Sequence, residues 1–266
     1  MKSLVVSLVL AISATAHADD RITDDLPYKV PEGHVRAGLW KLQYGVHGVR
    51  GLEIGTYTLP YASWGFGVKS GNGHVKYQIH DGARFTAAAG LGVAYVDLRG
   101  IDIDAQIAIV PIQLLGAYRL SDRFTLGAGM MLTSISGEGA YNEDDRTDFR
   151  GAVAASNAQS WLSLTTKISR GWSLYFETRA ISATEAIGDG DVTHMIDDRT
   201  QVDVSLTGNA SIDELQGASV LLAAHWARER FRLRLGLGYG NMNVPVVNFV
   251  VPAAIPYPEL DIYWVF

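Results

Sequence analysis

The chain has 266 residues, of which 48% are hydrophobic and 10% aromatic, with 28 glycines and a formal net charge of −6. It has no cysteine, which excludes disulfides, thiolate metal sites and thiol nucleophiles. The negative charge argues against nucleic-acid binding. Beyond the N-terminal segment no apolar run approaches the roughly 20 residues of a membrane helix, so a membrane protein of this composition must cross the bilayer with strands.

The N-terminal part has two segments of different composition, 1–18 and 19–33. Residues 1–18 combine Lys2, an apolar run and a small-residue pattern ending at Ala18, which predicts a secretory signal peptide cleaved after Ala18. Residues 19–33 are polar, include Pro27 and Pro31, and show no period. We interpret them as a periplasmic extension or a plug in the lumen of the domain that follows, 34–266.

Alternation of apolar and polar residues begins at His34 and predicts twelve strands, with ten as the alternative count. Their ranges are 34–46, 51–59, 61–69, 74–80, 83–98, 104–120, 123–136, 156–168, 171–184, 212–227, 230–243 and 259–266. From Arg84 onward, short links alternate with longer ones at 99–103, 137–155, 185–211 and 244–258. Short periplasmic turns and long extracellular loops of this kind are typical of a transmembrane, antiparallel, up-and-down β-barrel.

The strand from Phe231 to Tyr239 alternates most clearly. Its two arginines, Arg232 and Arg234, must face inward, because an arginine facing lipid at mid-depth costs about 2–4 kcal/mol. In the stretch 104–120 the apolar phase changes at Pro111. Proline cannot donate to the ladder, so we predict a β-bulge there.

The last residues, Leu260 to Phe266, place Ile262, Trp264 and Phe266 on one strand face. This pattern resembles the closing strand of bacterial outer-membrane β-barrels. The resemblance implies location in the outer membrane of a Gram-negative bacterium and recognition of Phe266 by the barrel assembly machinery. It names no activity.

The inward face of these strands is rich in charge. The residues predicted to line a pore are Lys41, Lys76, Arg84, Arg119, Lys167, Arg179, Arg232, Arg234, Glu53 and Glu177. A basic lumen favours anions, which predicts a narrow channel for small hydrophilic solutes, anions among them. The alternative is a structural or surface-interaction barrel whose charges pair within a filled lumen, because buried charges need partners or water.

Acidic residues concentrate in 137–155 and 185–203, the latter with His194. They could bind a cation or form a hydrolytic site, but the calcium-loop pattern is incomplete, and the serine-elbow and zinc-helix motifs of hydrolases are missing. We therefore expect neither an enzyme nor a cofactor. The expected partners are outer-membrane lipid, lipopolysaccharide, the assembly machinery and small solutes, with the protein a monomer. A soluble, secreted β-sandwich would show the same alternation and is the alternative fold.

Overall fold

The computed structural model describes residues 26–66, 68–99, 103–144, 147–197, 200–211, 217–228, 230–240 and 254–266. Within these ranges the chain forms strands almost throughout, with one four-residue helix, α1 (Leu59–Ala62), and one 3-10 turn (Ser63–Phe66). The strands are β1 (Val35–Gly38), β2 (Lys41–Gly45), β3 (Leu52–Tyr57), β4 (Lys69–Asp81), β5 (Phe85–Arg99), β6 (Ile103–Arg119), β7 (Phe124–Asp144), β8 (Thr147–Ser169), β9 (Trp172–Asp197), β10 (Thr200–Ser211), β11 (Gly217–Arg228), β12 (Phe231–Gly240) and β13 (Ile255–Val265).

These strands form one closed antiparallel sheet. Each strand pairs with its neighbour in the chain, except that β11 pairs with β9 and not with β10, and β13 closes the ring by pairing with β1. β10 pairs with the second half of β9 and β11 with the first half, so these two strands occupy one position in the ring. The barrel therefore has twelve strand positions, which confirms the predicted all-β, twelve-stranded barrel. A closed ring also rules out the alternative sandwich of two sheets.

The predicted boundaries near the start of the barrel are wrong. The single strand expected at 34–46 is a hairpin of two short strands, β1 and β2, turning at Leu39 and Trp40. Gly38 ends β1 just before the turn, but neither of the two turn residues is a glycine or a proline. The strand expected at 61–69 is replaced by α1 and the 3-10 turn. Pro60 in the first helical turn suits a helix, and Trp64 donates its indole N–H to the carbonyl of Ser70 at 2.7 Å.

The long loops expected at 137–155 and 185–211 are also wrong, because the described residues of both segments belong to strands. β7 and β8 pair as far as Asp144 and Thr147, and β9 pairs with β10 as far as Asp197 and Thr200. Exposed positions in these extensions mix small and charged residues, such as Ala154 and Glu138, with a few apolar ones such as Ile187. Only strand segments that face lipid need large apolar residues, so apolar alternation stops before the strands do.

Pro111 does not produce the predicted β-bulge. β6 pairs with β7 in one continuous register through Pro111, which lies opposite Thr133. Pairing with β5 is interrupted beside Pro111 but resumes in the same register, from Leu91 opposite Ile112 to Ala94 opposite Ile109. Ile107 and Ile109 share the inward face with the buried Leu115, whereas Ile112 and Leu114 are exposed on the outward face. The apolar residues therefore change face along an unbroken strand.

The outer surface of the ring is apolar. On β12, as predicted, Leu235 is 51% exposed while Arg232 is 2% exposed. At the end of the barrel that carries the β6–β7, β8–β9 and β11–β12 turns, the aromatic rings of Trp172, Trp226, Phe231 and Trp264 follow one another at centroid distances of 6.2, 5.7 and 5.2 Å. We call this the turn end. An apolar outer face bordered by aromatic residues is the surface of a transmembrane barrel.

Among the described residues, no helix has the length and apolar character needed to cross a membrane. The predicted signal peptide, 1–18, lies outside the described residues and stays a prediction. So does most of the polar segment 19–33, of which the structure describes residues 26–33.

Candidate functional site in the barrel interior

The inward face of the barrel carries a dense set of polar side chains, because every second residue of each strand points to the lumen. Within the described ranges the buried cations are Arg36, Lys41, Lys76, Arg179, Arg232 and Arg234. The carboxylates beside them are Glu53, Glu177, Glu259 and Asp261. Six cations against four carboxylates leave this set with a positive formal charge.

One network joins β1, β2, β3 and β13. Arg36 donates from Nη1 to Oε1 of Gln43 at 2.9 Å and from Nη2 to Oδ2 of Asp261 at 2.6 Å. Gln43 in turn donates to Oε1 of Glu53 at 2.8 Å. The guanidinium of Arg36 also lies 3.9 Å from the ring centroid of Tyr263, a cation–π contact. The network thus joins the first and last strands of the ring.

The N-terminal segment lies inside the barrel against this network. Glu53, which is fully buried, accepts the backbone N–H of Val30 at Oε2, 2.8 Å away. Lys76 donates to the carbonyl of Tyr28 at 2.7 Å and lies 3.5 Å from Glu53. Leu26 is buried against Ala117 on β6. Residues 26–31 therefore run from the wall formed by β6 and β7 to the wall formed by β2, β3 and β4.

Two glycines make room for this segment. A Cβ on Gly45 would lie 2.1 Å from the carbonyl oxygen of Pro31, and one on Gly127 would lie 2.4 Å from Cδ2 of Leu26. Both glycines belong to barrel strands on opposite sides of the segment. The wall therefore fits the segment closely at both ends, against the backbone of Pro31 and against the side chain of Leu26.

A second network lies on β8 and β9. Glu177 accepts Nε and Nη2 of Arg179 at 3.2 and 3.0 Å and the hydroxyl of Tyr175. Arg179 also donates to Oε1 of Gln159 at 3.4 Å, and its guanidinium lies 4.4 Å from the ring centroid of Trp161. Every residue of this network is buried. The ring of Trp161 fills the space that Gly129 leaves on β7, where a Cβ would lie 2.3 Å from the indole.

Arg234 connects the second network to β13. It forms an ion pair with Glu259 at 3.0 Å and lies 4.3 Å from the ring centroid of Tyr175. Arg232, farther toward the turn end, donates to the carbonyl of Phe231 at 2.9 Å. Charged side chains thus project into the lumen from opposite parts of the ring, and cation–π contacts hold several of them in fixed directions.

The ten residues predicted to line a pore fall into three groups. Lys41, Lys76, Arg179, Arg232, Arg234, Glu53 and Glu177 are buried on the inward face. Arg119 and Lys167 lie on the wall of a cavity at the turn end. Arg84 does not line the lumen: it is exposed in the connection between β4 and β5. That connection precedes the first inward residue of β5, so the strand phase does not apply to Arg84.

The sequence interpretation missed Arg36. If 34–46 were one strand with Lys41 inward, the even-numbered Arg36 would face outward. The turn at Leu39 and Trp40 resets the phase and brings Arg36 inside. An arginine that would otherwise face lipid was the one available signal for this turn. Glu259, which pairs with Arg234, was missed because the predicted strand began at that residue.

The acidic segments give no further site among the described residues. The side chains of His194 and of every acidic residue in 143–148 and 197–203 lie outside the described set. Asp191 is exposed and accepts a hydrogen bond from Ser205 at 2.6 Å. No group of three or more metal-ligating side chains occurs among the described residues. The hydrolytic and cation-binding hypotheses for these segments stay predictions.

No protein-family model matches the sequence, and no curated protein matches it. Solved structures similar to this chain are membrane barrels. The translocator domain of the autotransporter NalP from Neisseria meningitidis is 10% identical, with a TM-score of 0.38 over 99% of this chain and 95% of that one. The CymD monoaromatic hydrocarbon channel is 7% identical, with a TM-score of 0.37 over 87% and 86%. The copper transporter OprC is 13% identical, with a TM-score of 0.43 over 90% and 43%.

These values describe a general likeness of barrels. The twelve-stranded ring itself rests on the strand pairing of this chain.

Proposed function

We propose that this protein is a narrow channel of the Gram-negative outer membrane for small hydrophilic solutes, constricted at the turn end by residues 26–31. The observation that carries the proposal is the position of residues 26–31 inside the barrel. This segment lies across a polar, positively charged lumen and is held by side chains of the barrel wall, Glu53 and Lys76. The segment is not one of the paired strands of the ring, so its displacement would widen the path without breaking the ring.

The membrane location is supported by the apolar outer face and the aromatic residues at the turn end. Lipid, lipopolysaccharide included, would contact this face. A monomer is sufficient to form the barrel, because β1 and β13 close the ring within one chain. A channel needs no catalytic group or cofactor, and the proposal assigns none.

A structural barrel with a filled lumen is the second candidate. It is favoured by the buried network of Glu177, Arg179 and Gln159, whose charged groups are paired and whose cation lies against Trp161. Such pairing would immobilise the side chains that a channel uses to attract solutes. The two functions differ in whether the folded barrel conducts.

The distinguishing experiment compares the glycine variants Gly45→Ala and Gly71→Ala. The Gly45 Cβ would collide with the backbone of Pro31 and Val30, whereas the Gly71 Cβ would meet nothing within 4 Å. We expect Gly45→Ala to displace the segment and raise single-channel conductance in a planar bilayer, while Gly71→Ala conducts like the parent protein. Folding of each variant is checked by heat-modifiable gel mobility. Folded variants that are both silent would favour the structural barrel.

A further inference from the structure

A separate cavity lies at the turn end of the barrel, between the β6–β7 connection and the ends of β8 and β9. Its volume is about 230 Å³. This space admits several water molecules or a small hydrated ion. The cavity does not include residues 26–31, and its lining residues are all described by the structure.

The charges around this cavity are mainly positive. Arg119, Arg123 and Lys167 line it, against the single carboxylate of Asp122. Among the residues that the structure describes, Arg119 and Arg123 form no ion pair. Their positive charge is therefore available to an anion from solution.

The backbone and the strand register place these groups. Arg119, Thr125 and Thr165 are successive partners in one row across β6, β7 and β8. The hydroxyl of Ser121 accepts the backbone N–H groups of Arg123 and Phe124, both at 3.2 Å. The carbonyl of Arg123 accepts the N–H of Lys167 at 2.8 Å, which fixes the connection against β8. The cations thus sit on hydrogen-bonded backbone at neighbouring positions.

Hydroxyl groups complete the lining. Thr125 and Thr165 contribute to the cavity wall, and within the described part of the chain Oγ1 of Thr165 is buried without a hydrogen-bond partner. Burying a hydroxyl without a hydrogen-bond partner costs free energy, and a ligand oxygen that accepts its hydrogen bond would offset this cost. Guanidinium, ammonium and hydroxyl donors together suit the oxygens of a tetrahedral oxyanion.

We propose that this cavity binds a small oxyanion of the phosphate class as it enters or leaves the lumen. The inference rests on the proposed channel and adds the class of solute and the residues that bind it first. A soluble anion is favoured over a lipid headgroup because Thr125, Thr165 and Ser173 lie on the inward face of their strands, away from the apolar outer surface.

The test is titration of the full-length protein in neutral detergent with inorganic phosphate, followed by calorimetry at low ionic strength. We expect saturable binding. Arg119→Gln and Lys167→Gln should each weaken it by about tenfold, since each removes one charge-assisted contact. Arg228→Gln is the matched control, because Arg228 is exposed at the same end of the barrel and does not line the cavity. Heat-modifiable mobility confirms that each variant is folded, and Lys167 is exposed, so its replacement should not disturb packing.

Absence of saturable phosphate binding to the parent protein would overturn the inference. Equal weakening by all three replacements would do so too, since it would indicate a general effect of charge. In a parallel arm, vesicles of phosphatidylglycerol replace phosphate, and the parent is compared with Arg119→Gln because the apolar outer face binds lipid in both. Vesicle binding that Arg119→Gln weakens, without any phosphate binding, would assign the cavity to lipid and also overturn the inference. A barrel that conducts but does not bind phosphate contradicts only this inference, whereas one that binds phosphate but never conducts contradicts only the proposed channel.

Discussion

Glu177 illustrates how single residues stabilise the interior. It is 1% exposed and accepts hydrogen bonds from Tyr175 and Arg179, so its charge is compensated on both oxygens. Besides Glu177, the guanidinium of Arg179 contacts the amide oxygen of Gln159 at 3.4 Å and the ring of Trp161. Removing the carboxylate charge would leave a buried cation with a poorer set of partners.

We therefore expect Glu177→Gln to lower the free energy of unfolding by about 3–5 kcal/mol, the usual cost of breaking a buried ion pair. Urea unfolding in lipid vesicles measures the effect. Glu138→Gln makes the same chemical change at an exposed position and should stay within about 0.5 kcal/mol of the parent. Equal stability of the two variants would show that water already solvates Glu177.

Leu235 tests the outer face at the same scale. It is exposed in the middle of β12, and Leu→Arg there should cost about 2–4 kcal/mol if this surface faces the bilayer core. Ile168 is exposed near the turn end of β8, where Ile168→Arg should lower the free energy of unfolding by at most about 1 kcal/mol. Unfolding from vesicles compares the two, and equal costs would contradict a membrane boundary between them.

At the scale of elements, β13 closes the ring through backbone contacts with β1. Phe266 donates its N–H to the carbonyl of Val35 at 2.9 Å and accepts the Val35 N–H at 3.1 Å. Its side chain is exposed on the outer face together with Trp264, as the alternation predicted. Closure of the barrel uses the backbone of Phe266, whereas the predicted recognition uses its aromatic side chain. A substitution of the side chain can therefore test recognition without breaking closure.

Phe266→Ala keeps both backbone hydrogen bonds and removes the aromatic ring. We expect this variant to refold in detergent like the parent but to reach the outer membrane of cells in smaller amounts, because recognition by the assembly machinery is predicted to depend on the ring. Deletion of Phe266 removes the hydrogen bonds as well and should reduce refolding too. Heat-modifiable mobility measures refolding, and membrane fractionation measures assembly. Normal assembly of Phe266→Ala would contradict the predicted recognition.

The elements also show why some boundaries could be predicted from the sequence and others could not. Strand faces in contact with lipid carry large apolar residues, so the phase of β12 and of the closing strand was correct. The extended parts of β7, β8 and β9 have no such requirement, and backbone pairing alone defines them. The count of twelve was correct although 34–46 contains two strands and 61–69 contains none, because these two errors compensate.

For the candidate site, strand phase was enough to place seven of the ten predicted residues on the buried inward face. Their partners could not be predicted in the same way. The contact between Arg36 and Asp261 joins residues 225 positions apart, and it depends on the register of β1 against β13. The position of residues 26–31 in the lumen likewise depends on Gly45 and Gly127, which the sequence does not distinguish from other strand glycines.

The whole molecule is an apolar cylinder around a polar lumen, with a segment of its own chain across one end. The described charges inside are net positive. If ions pass through this lumen, anions should pass more easily than cations. If the paired side chains fill it, neither should pass.

The most direct test is the reversal potential of the parent protein, refolded into a planar bilayer under a salt gradient. We expect discrete, small conductance steps and a reversal potential that favours anions. A correctly folded barrel that stays silent, both in the parent and in Gly45→Ala, would contradict the channel and assign the interior charges to stability alone.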